Sequence, residues 1–84
     1  MKGDILQDVI QNGKLKTYDL EGGSINVYWH LESLPPNTYY LFKFTELEGN
    51  LLDFKKVAPR YLPVKYKSRK YNSTMTNLVT SLLN

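Results

Sequence analysis

The sequence predicts an α+β domain: a small antiparallel β-sheet, or a partly open five-stranded barrel, with a short N-terminal helix and a C-terminal amphipathic helix. Three observations carry this. The apolar spacing changes from about 3.6 to 2 after Gly13 and returns to a helical period after Ser73. The strand-like runs between are joined mostly by short, glycine-bearing turns, which favours antiparallel neighbours. Finally, 84 residues without an internal repeat, low-complexity tract or linker make a single domain, 1–84.

The elements follow in order. Ile5, Leu6, Val9 and Ile10 recur at helical spacing, with Asp4 suited to the N-cap and Gly13 placed where a C′ glycine would end the helix. Lys14–Leu20 then reads as a strand, and Glu21-Gly22-Gly23-Ser24 as a two-residue hairpin turn whose glycines tolerate positive φ. From Ser24 to Glu32 the pattern alternates. Ile25, Val27, Trp29 and Leu31 share one face and Asn26, Tyr28, His30 and Glu32 the other, the signature of a half-buried strand. Ser33-Leu34-Pro35-Pro36-Asn37 cannot continue a ladder and forms a connection. Thr38–Thr45 alternates again, with Tyr40, Phe42 and Phe44 opposite Tyr39, Leu41 and Lys43. A second hairpin around Glu48-Gly49-Asn50 leads into Leu51–Val57, and Ala58–Pro63 is a proline-punctuated crossover. Val64–Lys70 reads as a fifth, basic strand. Met75, Leu78, Val79, Leu82 and Leu83 then mark an amphipathic helix capped by Ser73 or Thr74. Closed into a barrel, the five strands would resemble an OB or SH3-like fold in outline, although no motif specific to either is present.

Composition narrows the function classes. A chain of this size buries only roughly 60–65% of the surface it exposes when unfolded, so modest stability or oligomerisation is expected. The absence of cysteine removes disulfides, thiolate metal sites and a cysteine nucleophile. No apolar run approaches the ~20 residues needed to cross a bilayer, and Met1–Leu6 lacks the apolar core of a signal peptide. A soluble, cytoplasmic protein without membrane association is the expectation. Lysine outnumbers arginine nine to two, asparagine and tyrosine each number seven, and alanine occurs once. That usage suggests an A- and T-rich coding sequence, of the kind carried by phages and plasmids.

Catalysis finds no support in the motifs. His30 is the lone histidine, on the polar side of a strand, and no G-x-S-x-G elbow places a serine beside it. One histidine without cysteine leaves only scattered carboxylates for a metal, and no calcium-loop spacing occurs. Glu46 and Glu48 flank a turn, where two solvated charges are the simpler account. Gly22-Gly23 joins strand to strand and lacks the helix dipole that grips phosphate. The expectation is a non-enzyme with no cofactor and no metal.

What remains is the charge distribution. Residues 1–53 hold all eight carboxylates against four lysines, a net −4, while residues 54–84 hold seven cations and no acid, a net +7. On Val64–Lys70 alternation puts Lys65, Lys67 and Arg69 on one face, a repeat of ~6.5–7 Å that matches an extended phosphate backbone. Lys55, Lys56, Arg60 and Lys70 extend this surface, and Tyr61 and Tyr71 flank it as platforms for unpaired bases. Tyr28, Tyr39 and His30 form a candidate second aromatic platform on the outer sheet face. These residues point to a small domain that binds single-stranded or structured nucleic acid. Lysines on an edge strand also block aggregation, and tyrosines favour strands without any ligand. The alternative reading is a small interaction or inhibitor protein that meets an acidic protein partner. Its carrier is the final helix, whose polar face of Thr74, Thr76, Asn77, Thr80, Ser81 and Asn84 has no charge and is cheap to desolvate. Thr76, Asn77, Thr80 and Ser81 are its candidate interface, and a homodimer through this helix would join two basic arms.

Overall fold

The computed structural model describes residues 2–32, 38–63 and 72–84, with side chains from residue 5 onward in the first stretch. The chain runs α1 (Lys2–Asn12), β1 (Gly13–Glu21), β2 (Ser24–Leu31), β3 (Tyr39–Thr45), β4 (Leu51–Val57), a 3-10 turn (Pro59–Tyr61), α2 (Ser73–Thr80) and a closing 3-10 turn (Ser81–Leu83). The four strands form one antiparallel sheet in sequence order, β1-β2-β3-β4.

This is an open sheet, not a barrel, and the expected five-stranded closure is corrected. Its apolar face is covered by α1 and α2, so the core is buried without β1 meeting β4. The expected strand Val64–Lys70, with Lys65, Lys67, Arg69, Lys70 and Tyr71, lies outside the described residues, as does the connection 33–37. Among the described residues β1 and β4 are the outermost strands, and both are irregular: pairing shifts at Lys16 in β1 and at Leu52 in β4. Such shifts bend an edge away from further pairing.

Alternation explains the main core. Ile25, Val27, Trp29 and Leu31 of β2 meet Phe42 and Phe44 of β3, with Val9 and Ile10 of α1 and Val79 of α2 above them. Phe42 is fully buried, with Trp29 edge-on at 6.0 Å and Phe54 at 4.8 Å between ring centroids. Met75, Leu78 and Leu82 pack onto this cluster, whereas Leu83 turns outward.

The end of α1 has a specific cause. The Trp29 indole N–H donates to the Val9 carbonyl at 2.8 Å, satisfying one of the acceptors that a helix end leaves unpaired. Gly13 lets the indole reach that carbonyl. A Cβ there would lie 2.4 Å from Trp29 Cδ1 and Nε1 and 2.7 Å from the Val9 oxygen. The glycine is therefore required by close approach, and it takes no left-handed conformation of the kind a C′ glycine supplies. Asp4 is likewise inside the helix, which begins at Lys2.

At the first hairpin only Gly23 takes positive φ, and the Ser24 hydroxyl donates to the Glu21 carbonyl at 2.9 Å. In the second, Gly49 has φ +69°, and Glu46–Glu48 belong to the turn. The α2 cap is Asn72, one residue before the expected Ser73 or Thr74. Its side-chain oxygen accepts from the backbone N–H of Thr74 at 2.9 Å and of Met75 at 3.2 Å.

Candidate nucleic-acid interface

Strand register builds the site on the sheet face away from the helices. Outward residues fall into rows that cross the strands about 6.5 Å apart. Asp19, Asn26, Lys43 and Asp53 form one row, Thr17, Tyr28, Leu41 and Lys55 the next, and Lys14, His30, Tyr39 and Val57 the third. The charge split in the sequence becomes a gradient along this face. Asp19, Glu21 and Asp53 gather toward the Gly22-Gly23 end, while Lys14 lies in the row at the opposite end and Arg60 follows the end of β4.

This face is not simply solvated. Tyr28, Tyr39 and Leu41 are buried with Leu62, and Val57 packs beside them. Leu62 follows the Pro59–Tyr61 turn, which carries the chain back over the sheet. β2 is thus buried on both sides, and its reading as half-buried is corrected. The second aromatic platform is corrected as well: Tyr28 is 7% and Tyr39 8% exposed, which leaves no free ring face for a base. His30 lies against Tyr39, with 5.1 Å between ring centroids.

Beside the buried cluster is a cleft of about 400 Å³, lined by Tyr28, Leu41, Lys55, Lys56, Val57, Ala58 and Tyr61. Its position has a simple origin. β4 ends at Val57, Pro59 opens a 3-10 turn, and the turn lifts Tyr61 off the sheet before Leu62 drops back onto it. Tyr61 is 60% exposed. The Arg60 guanidinium lies 5.0 Å from the centre of the Tyr61 ring and donates to the phenol oxygen at 3.2 Å. Cation and ring therefore hold one another in place. Tyr61 lines the cleft and Arg60 does not.

Of the sequence-derived cations, the structure brings Lys55, Lys56 and Arg60 together around this cleft and its Tyr61 wall. They are not equivalent. Lys55 points to the outer face and pairs with Asp53 at 3.7 Å, whereas Lys56 faces Tyr40 in register on the helix side and reaches the cleft rim from the sheet edge. Among the described residues no carboxylate pairs with Lys56 or Arg60. Lys43 is held by Glu21 at 3.4 Å and Lys14 by Glu32 at 3.7 Å. Tyr28, at the cleft floor, has its phenol pushed above the ordinary 10.0 by burial, with Asp19 and Glu21 adding to the shift, so it stays neutral.

The candidate protein interface on α2 resolves differently. The Thr80 hydroxyl donates to the Thr76 carbonyl at 3.0 Å, and the Ser81 hydroxyl to the Leu78 carbonyl at 2.9 Å. These two side chains serve carbonyls of the helix itself, whereas the Thr76 hydroxyl oxygen is enclosed with no hydrogen-bond partner among the described residues. Asn77 is exposed, while Thr76 is half-buried.

Sequence reasoning missed Leu41, Val57, Ala58 and Leu62 as parts of the site. A signal was present: Leu41 and Val57 are apolar at outward positions, and Leu62 lies between Pro59 and Pro63. Together they imply that the crossover covers the outer face. Among the described residues no helix is long and apolar enough to cross a membrane. Comparisons with protein families, curated proteins and solved structures found no match.

Proposed function

We propose that this protein is a non-enzymatic nucleic-acid-binding domain that holds its ligand by backbone charge, with tyrosine stacking as a second contribution. The observation that supports this most is the exposed Tyr61 ring, propped by Arg60 beside a cleft whose rim carries Lys55 and Lys56. Cations next to an exposed aromatic ring combine phosphate neutralisation with a stacking surface. The chain continues directly from this site into residues 64–71, whose composition adds Lys65, Lys67, Arg69, Lys70 and Tyr71.

Salt dependence tests the reading. If the three cations at the cleft each neutralise one phosphate of a single strand, log K falls with log salt at a slope of about −2, and the cations of 65–70 steepen it. Lys55→Ala with Lys56→Ala should make the slope shallower by about 0.7 for each cation removed. Binding that ignores salt overturns the proposal. So does a stoichiometric protein partner that survives nuclease treatment while oligonucleotides fail to bind.

A further inference from the structure

We infer that the cleft beneath Tyr61 receives one unpaired nucleobase, which makes the protein a binder of single strands in preference to duplexes. This rests on the nucleic-acid reading above and goes beyond it by naming what enters the cleft.

The walls suit the flat, apolar face of a base. Leu41 and Val57 present aliphatic carbons, Ala58 is small enough to leave room, and Tyr61 supplies the ring. At about 400 Å³ the cleft lies at the small end of the range that small-molecule sites occupy, roughly 300–1,000 Å³. A base and its sugar fit that scale, whereas a base pair within its stack does not.

The polar groups stand where a nucleotide's charge would lie. Lys55 and Lys56 both line the cleft, Lys55 from the outer face with Asp53 3.7 Å away and Lys56 without a carboxylate partner among the described residues, so cations stand at the rim for the phosphates of an inserted nucleotide. Tyr28 adds no charge to the floor, since a phenol is neutral near pH 7 and burial raises this one above 10.0. Arg60 fixes the Tyr61 ring before any ligand arrives, so less side-chain freedom is lost on stacking.

The gradient across the sheet also sets a direction. Asp19, Glu21 and Asp53 repel a phosphate chain running along the strands toward the Gly22-Gly23 turn. A bound strand therefore crosses the sheet at its Val57–Tyr61 end. Duplex nucleic acid already stacks its bases on one another and can offer this site only its backbone. The cost of extruding a base then falls on the duplex alone.

The test is fluorescence anisotropy with three labelled probes of one length: a single strand, the duplex of the same sequence, and a single strand with abasic sites in place of its bases. The single strand should bind about 5- to 150-fold more tightly than the abasic strand, the range expected of one base stacked on an aromatic ring. It should also bind more tightly than the duplex. Tyr61→Leu keeps apolar bulk but loses the ring, and should bring the single strand down to the abasic value. Equal, salt-dependent binding of all three probes by the unaltered protein overturns this inference while leaving the nucleic-acid reading intact. Failure to bind any probe overturns both.

Discussion

The two faces of the sheet bury their residues by different means. On the helix side, β2 and β3 supply an unbroken apolar set, and α1 and α2 close over it with Val9, Ile10 and Val79. On the other side, a single leucine brought back by the crossover, Leu62, completes a small cluster with Tyr28, Tyr39 and Leu41. Beside that cluster the surface stays open as the Tyr61 cleft. The first face is sealed by whole elements and gives stability. The second is covered in part by the connection 58–63, through Leu62, and the cleft opens beside it.

The largest difference should appear when each face loses one side chain. Phe42→Ala removes a fully buried ring from the helix-side core and should cost about 3–5 kcal/mol in urea unfolding. Leu62→Ala should fall near 2 kcal/mol, the low end for such truncations, because the cleft rim can relax. Equal losses would break the contrast between the two faces. A smaller effect than that of Phe42→Ala, about 1–3 kcal/mol, is expected of Gly13→Ala, which forces a methyl against the Trp29 indole and the Val9 carbonyl. It should be accompanied by loss of helical circular dichroism, since it separates α1 from the sheet; an unchanged spectrum and midpoint would contradict that role.

The smallest effect is reserved for the outer face and high pH. The folded protein holds the Tyr28 proton more tightly than the unfolded chain does, because the phenol is raised above 10.0. Between these two values the unfolded chain releases its proton first. The stabilisation associated with Tyr28 is therefore whole below pH 10 and is lost as pH rises through the raised value. Tyr28→Phe should flatten this part of the alkaline slope when midpoints are compared between about pH 9 and about pH 11. Parallel slopes in protein and variant would show that Tyr28 is not held in this way.

Much of the helix-side architecture was legible in the sequence because periodicity reports burial on a regular element. The four described strands, both hairpins, the alternating faces that carry Trp29 in one strand and Phe42 and Phe44 in the next, and the Met75–Leu82 stripe all follow from spacing. What escaped the sequence depends on a second segment arriving from a distance. Alternation labels Tyr28 and Tyr39 outward, but it does not say that Leu62 returns to cover them. Asn72 outcompeted Ser73 as cap because its oxygen reaches two backbone donors, a matter of geometry that residue type leaves open. Lys55 and Lys56 were legible as cations, but only register shows that they straddle a strand, with Asp53 holding one of them.

The hydrogen bond from Trp29 to Val9 has a consequence for how the molecule breathes. Eleven residues make a marginal helix in isolation, so α1 owes its persistence to the surface it rests on. Trp29 is the sequence's only tryptophan, and its indole proton is enclosed as long as α1 stays seated. Deuterium uptake at that one nitrogen thus acts as a clock for the detachment of the first helix. It should run in step with the amides of α1, and faster than those at the centre of β2 and β3, whose release requires the whole sheet to open.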